Sequence, residues 1–214
     1  MRTGNFDSVA PFYDALAGVV FGGKLRAAQT WAVQHGLPTG AQRILFIGGG
    51  TGAVLPAVLA RAPDAKVVYL EVSAAMLARA RAHLTRTVPP ANRARVEFRL
   101  GTEAAIGANE EFDAVLTFFF LDLFGDAELP TILARLTAAT APAATWLVAD
   151  FAPPRNAWQR GLLAVMYRFF GFTTGMQNQK LPDWPAALRT AGWRPVAERV
   201  FVGGAVRAGA WRRV

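Results

Sequence analysis

Arg43-Ile44-Leu45-Phe46-Ile47-Gly48-Gly49-Gly50-Thr51-Gly52-Ala53 is the stretch on which the fold turns. A short apolar run, of the length of a buried strand, breaks into glycines and then into helix-compatible sequence from about Leu55. Strand, glycine turn and helix form the unit with which open α/β sheets hold a nucleoside-bearing ligand. A Cβ in such a turn blocks close approach of backbone to ligand or forbids the dihedrals that the turn needs. The next apolar run, Lys66-Val67-Val68-Tyr69-Leu70, ends in Glu71, 19 residues past Gly52. That spacing is near the one expected of a carboxylate that binds a ribose.

Toward the N-terminus the sequence predicts two short helices hinged at Gly22-Gly23, over 15–21 and 24–35. Gly36 is a C-terminal stop with Pro38 just beyond. Residues 1–40 are expected to stand outside the α/β core as a helical cap over its ligand end. There Tyr13 is either a packing aromatic or a contact to the ligand. Toward the C-terminus strands are predicted at 43–47, 66–71, 95–100, 112–118 and 145–151, with helices at 53–61, 74–85 and 127–137. Ser73 is a favourable N-cap for the second of these helices. Such alternation implies right-handed crossovers and a mostly parallel sheet. Ala114 to Leu121 is almost continuously apolar, as a strand buried on both faces should be.

Ala152-Pro153-Pro154 ends the fifth strand, and 156–170 reads as an unusually apolar helix containing Trp158, Leu162 and Met166. Its wide apolar face suits core packing, a greasy pocket within an insertion spanning 152–182, or a membrane surface. A helix over 184–191 precedes strands at 194–202 and 205–213, separated by Gly203-Gly204 alone, which forces an antiparallel hairpin. Residues 1–214 therefore read as one α/β domain. Its core is a Rossmann-like, seven-stranded, mostly parallel sheet with helices on both faces and a C-terminal antiparallel β-hairpin.

Hydrophobic content of 53% and charged content of 18% over 214 residues favour a packed globular core over disorder. With no cysteine and only His35 and His83, neither a thiolate nor a multi-histidine metal centre is expected. No run approaches ~20 apolar residues and the first 14 lack a signal-type apolar core, so a cytoplasmic protein without a transmembrane segment is expected. Between Arg79 and Arg99 stand six arginines against one acid, Glu97, within a net charge of +8. As a patch they suit anionic lipid, nucleic acid or an acidic substrate. No nucleic-acid motif accompanies them, so a solvated helix face is the better reading and no nucleic-acid partner is expected.

The layout of five βα steps and a closing hairpin resembles the class I S-adenosylmethionine-dependent methyltransferases. Gly48-Gly49-Gly50-Thr51-Gly52 is similar to the family's G-x-G-x-G loop, whose backbone lies against the methionyl and ribose parts of the cofactor. Glu71-Val72-Ser73-Ala74-Ala75-Met76-Leu77 is similar to the acidic-x-Ser-x-x-Met-Leu signature that opens its second helix. The resemblance implies that Glu71 accepts both ribose hydroxyls, that Val72 packs on the adenine with Met76 nearby, and that Gly101-Thr102-Glu103 forms the adenine-contacting loop. It places Thr117, Phe118 and Phe119 beside the reactive methyl group, and the density of aromatics at these strand ends, Phe119 and Phe120 among them, suggests a hydrophobic acceptor pocket.

Phe6 to Asp14, and Ala191-Gly192-Trp193 with Phe201 to Val206, are similar to the ends of the ubiquinone/menaquinone-biosynthesis C-methyltransferases. Phe46 departs from the family, which usually carries an acid there to help hold the cofactor's ammonium end. The quinone enzymes' asparagine-containing loop after strand three and their strand-four motif are also missing.

The implied reaction is methyl transfer to a small hydrophobic or aromatic acceptor, with peripheral membrane contact compatible. The cofactor carries the difficult chemistry and the protein aligns donor and acceptor. A base is needed only for an acceptor that must lose a proton. Asp122 and Asp150, near the ends of strands four and five, are the candidates by position, and a cap residue and a structural carboxylate are the competing readings. Gly48-x-Gly50-x-x-Ala53 also fits a nicotinamide-dinucleotide fingerprint, but no tyrosine is followed four residues later by lysine. A non-catalytic cofactor-binding or scaffold protein is the remaining alternative.

Overall fold

A computed structural model of the chain describes residues 23–154, 156–161 and 181–213. Its sheet has the strands β1 (Arg43–Ile47), β2 (Lys66–Glu71), β3 (Val96–Leu100), β4 (Phe112–Phe118), β5 (Thr140–Phe151), β6 (Trp193–Phe201) and β7 (Val206–Arg213). The order across the sheet is β3-β2-β1-β4-β5-β7-β6. β1 through β5 are parallel, and β7 runs antiparallel to both β5 and β6. The helices are α1 (Lys24–Gly36), α2 (Leu55–Arg61), α3 (Ala74–Thr87), α4 (Pro90–Arg93), α5 (Leu129–Ala138) and α6 (Trp184–Thr190).

Period-two alternation splits the apolar side chains between two cores, one on each face. Ile44, Phe46, Val67, Tyr69, Ala114, Leu116 and Phe118 pack with α1, α2 and α3. Leu45, Ile47, Val68, Leu70, Val115 and Trp146 pack with α5 and α6. Four tryptophans, at 146, 184, 193 and 211, are fully buried in this second core. Three of their indole N–H groups find acceptors: Trp146 on Thr117 Oγ1 (2.9 Å), Trp193 on Thr137 Oγ1 (3.0 Å) and Trp184 on the Phe151 carbonyl (2.8 Å).

The predicted strands agree with those observed to within a residue or so, except at the start of β5. β5 begins at Thr140, five residues early, because Thr140 pairs with Phe112 before an irregularity that leaves Pro142 exposed outside the regular ladder. The hairpin turn holds four residues rather than two. Val202–Gly204 form a 3-10 turn followed by Ala205, and Val202 adopts a left-handed backbone.

Within the expected cap over 1–40, the described helix α1 packs on the sheet itself. Ala28, Ala32 and Val33 of α1 are fully buried against the sheet, and Gly36 lies directly on Ala210 of β7. This helix is thus a layer of the α/β core over β5, β7 and β6, because its small residues permit close packing on the face opposite α5 and α6. The first predicted helix and Tyr13 lie outside the described residues, as do Leu162 and Met166. Residues 157–161 are helical. Among the described residues no helix is long and apolar enough to cross a membrane.

The arginine-rich stretch is largely engaged in structural contacts. Arg93 donates to the Thr85 and Val88 carbonyls at the end of α3, and Arg95 to Leu59, Ala62 and Ala65 at the end of α2. Unsatisfied helix C-terminal carbonyls favour such cations. Arg81 lies 4.6 Å over the Phe98 ring, and Arg99 pairs with Glu97 and Glu110.

Candidate active site

The chain leaves β1 toward β2 on one side, while β4 lies on the other, so the switch point of the sheet falls at the carboxyl ends of β1 and β4. Ligands of open α/β sheets bind outside that point. Gly48 to Gly52 form the β1 exit, and Gly48, Gly50 and Gly52 all have positive φ. Phe120 lies so close over Gly48 that a Cβ there would fall 2.5 Å from its ring. A Cβ on Gly49 would strike the Tyr69 phenol beneath the loop. The phenol donates to the Gly50 carbonyl at 3.0 Å, and the Tyr69 ring stacks edgewise on Phe46, which in turn packs on Phe118. Phe46, where the family usually carries an acid, is therefore part of an aromatic floor under the loop. Tyr69 read as one more strand apolar in the sequence, and nothing local signalled that its hydroxyl would hold the glycine loop.

Glu71 is buried at the end of β2, its carboxylate turned to the glycine loop and the start of α3. One carboxylate oxygen accepts from the Gly50 amide (2.9 Å) and the other from the Ser73 amide (3.0 Å). Ser73 Oγ caps α3 by accepting from the Met76 amide at 3.1 Å. A carboxylate is an acceptor-only group with two oxygens, a chemistry that suits backbone amides and diols alike. Val72 is half-buried beside it, and Met76 is buried under the first turn of α3. The β3 exit joins through the Gly101 amide, which donates to the Glu71 carbonyl at 2.9 Å. Thr102 Oγ1 caps the short turn Glu103–Ala105, while the Glu103 carboxylate pairs with Arg135 of α5 at 3.3 Å. Glu103 therefore anchors the loop to a helix and does not present a free carboxylate.

At the β4 exit the structure places Thr117 and Phe118 within the cores. Thr117 is fully buried, its hydroxyl taken by Trp146, and Phe118 is 2% exposed against Phe46 on the opposite face. Strand alternation persists through Phe118, so both side chains belong to the cores. The chain turns only at Phe119, whose φ of 51° is left-handed. Its amide donates to the Ala149 carbonyl at 2.7 Å, and its half-buried ring lies 5.2 Å from that of Phe151 at the end of β5.

Asp150 is completely buried. Its carboxylate accepts from the amides of Phe120 (3.2 Å), Leu121 (2.9 Å) and Asp122 (3.4 Å), and from Phe151 (2.8 Å). Burial pushes Asp150 well above the usual carboxylate range, with the neighbouring Asp122 adding to the effect, and burial likewise pushes Asp122 up to about 6. Two carboxyls so close and so poorly solvated do not both ionise readily. The amide bonds make Asp150 a clamp on the β4 exit in place of the general base considered from sequence. Asp122 Oδ1 is buried with no partner among the described residues.

Trp158, expected in the acceptor pocket, is 50% exposed and packs on Gly203 of the hairpin turn, beside Gln159, whose Nε2 donates to the Gly203 carbonyl at 2.9 Å. That turn stands at the carboxyl end of β5, because Val206 pairs with Phe151. Neither histidine reaches the crevice: His35 stacks on Trp31 in α1, and His83 lies in α3. No group of metal-ligating side chains occurs among the described residues.

A sheet in this order, with a glycine loop and a carboxylate meeting at its switch point, is the architecture of class I S-adenosylmethionine-dependent methyltransferases. Residues 44–143 match the family model described as "Methyltransferase domain". The chain is 32% identical over 167 residues to the demethylmenaquinone methyltransferase of Thermus thermophilus, covering 77% of this chain and 70% of that protein. It is 31% identical over 154 residues to the ubiquinone/menaquinone biosynthesis C-methyltransferase UbiE of Dinoroseobacter shibae, covering 72% of this chain but 60% of the relative's length. Among solved structures, 1,6-didemethyltoxoflavin-N1-methyltransferase of Burkholderia thailandensis, with its acceptor and S-adenosylhomocysteine bound, superposes with a TM-score of 0.68 at 16% identity. That superposition covers 98% of this chain and 86% of the other. The chain belongs to the class I S-adenosylmethionine-dependent methyltransferase family. None of these relatives supports the nicotinamide-dependent reading.

Proposed function

We propose that the chain transfers a methyl group from S-adenosylmethionine to a small aromatic, largely apolar acceptor. The observation that carries this reading is the Glu71 carboxylate, set between the glycine loop and the N-terminus of α3 at the switch point. Its acceptor-only chemistry suits a ribose diol, and the open side of Gly50, where a Cβ would meet nothing within 4 Å, suits close approach of a ligand. Glu71 would hold the ribose, residues 48–52 the amino-acid half, and Val72, Met76 and Thr102 the adenine. When bound, this donor supplies an electrophilic methyl group on a sulfonium.

What remains for the protein is alignment and exclusion of water. With the Asp150 carboxylate engaged by amides, the reading favours an acceptor that is nucleophilic in its own ionised form, such as a hydroxylated ring. Relatives named for quinone methylation support that acceptor class. So do the Phe119 and Phe151 rings at the β4 and β5 ends. Calorimetry with S-adenosylhomocysteine tests the donor side. Micromolar binding that is lost in Glu71→Ala is expected, and indifference to that substitution would sink the assignment.

A further inference from the structure

A groove of about 530 Å³ runs between α1 and β6, at the β6 edge of the sheet. Its helical wall is Arg26, Ala27, Thr30, Trp31 and Gln34, a spacing that keeps these side chains along one strip of the helix. The strip lies beside the Ala28, Ala32 and Val33 stripe that packs on the sheet. The strand wall is Arg199 and Phe201, which share a face of β6 because strand side chains alternate. The Trp31 indole meets the Phe201 ring edgewise at 6.4 Å, and the Arg199 guanidinium lies 5.4 Å from the centroid of the same ring. The charge of this groove is unbalanced. Helix α1 carries no acidic residue. Glu198, the acid of β6, alternates to the opposite face and pairs with Arg207 at 3.8 Å. Among the described residues neither Arg26 nor Arg199 has a carboxylate partner.

Two guanidiniums lining one concavity with no acid between them raise its potential and draw an anion. The planar fork of arginine matches a carboxylate or a phosphate bidentately. The two aromatic side chains add apolar surface for a ring, and Thr30 and Gln34 add neutral hydrogen-bonding groups. The volume lies within the range of small-molecule sites. We propose that this groove binds a planar aromatic anion, a ring system bearing a carboxylate or a phosphate. Arg26 and Arg199 take the anionic group, and Trp31 and Phe201 take the ring. The site is separate from the donor crevice, because β4, β5 and β7 stand between β1 and β6. It therefore goes beyond the methyl-transfer reading and does not depend on it.

Calorimetry on the full chain tests this with four probes: 1-naphthoate, 1-naphthyl phosphate, the neutral 1-naphthol and inorganic phosphate. The better of the two aromatic anions should bind at least roughly tenfold tighter than naphthol and than phosphate alone, because it alone engages both the cations and the rings. Which of the two binds tighter identifies the anionic group. Added salt should weaken that binding, since exposed charges are screened. Arg26→Gln and Arg199→Gln should each weaken it by roughly fivefold or more, by the loss of a charge-assisted hydrogen bond. Trp31→Leu, which removes an aromatic wall, should weaken it by roughly the same factor. Saturating S-adenosylhomocysteine should leave the anion's affinity unchanged. Absence of binding by either aromatic anion overturns the proposal. So does naphthol or phosphate binding as tightly as the anions, indifference to both arginine substitutions, or displacement of the anion by S-adenosylhomocysteine. Arg26 and Arg199 are exposed, so their variants keep the test decisive even where Trp31→Leu folds poorly.

Discussion

Glu71 carries two loads at once, the amides of Gly50 and Ser73 and, in the proposed function, a ribose diol. Hydrogen bonds to a charged group contribute about 1.5–3 kcal/mol each, so Glu71→Ala should weaken S-adenosylhomocysteine at least roughly tenfold by calorimetry. Glu71→Gln should lose less, since one carbonyl oxygen remains to accept. Tyr69→Phe isolates the loop from the ligand. It deletes only the bond to the Gly50 carbonyl and should cost about 1 kcal/mol in urea unfolding. Glu71 and the glycines were legible from sequence because chain-local spacing fixes them relative to one turn. Tyr69, Asp150 and the burial of Thr117 were not, because no motif or fixed spacing ties them to their partners, the Gly50 carbonyl, the amides after β4 and the Trp146 indole.

Among the elements, α3 depends on its cap: Ser73→Ala should destabilise by about 1 kcal/mol and loosen the same turn that Glu71 grips. The β4 and β5 exits supply a pH signature. Burial raises Asp122 from 3.8 in the unfolded chain to about 6 in the fold. The folded state therefore binds more protons across that window, and stability falls as pH rises from about 4 to about 6. Asp122→Asn, which does not titrate, should lack that downward step in urea midpoints measured from pH 4 to 7. The arginine-rich stretch belongs to this scale too. Its sequence reads as a charged face, yet Arg93 and Arg95 close helix ends, a role set by where two helices stop beside the β3 entry.

For the molecule as a whole, acid stability runs with the opposite sign. Hydrogen bonding from Arg99, with smaller help from the Gly107 amide and Arg43, lowers Glu110 from 4.5 to about 2. That contribution is present above pH 4.5 and is lost as pH falls toward 2, so Glu110→Gln should flatten the acid limb of a pH–melting curve. Donor binding should act on the entire cooperative unit. S-adenosylhomocysteine at 100 times its Kd adds about 2.7 kcal/mol, which for a chain of this size is a rise of roughly 5–10 °C in Tm. A ligand-independent Tm would contradict the donor assignment.

The sequence by itself determined the order of strands and helices, the mostly parallel sheet, the glycine loop and the carboxylate nineteen residues beyond it. Each of these is written in local periodicity and short spacing. Only the tertiary structure decided that α1 is a core layer and not a cap, that Thr117 and Phe118 point into opposite cores, and that Trp158 packs on the hairpin turn. It alone made Asp150 a clamp. Those outcomes depend on which strands become neighbours and on where buried amides and indoles find acceptors, and such pairings are fixed by the closing of the sheet, not by nearby sequence.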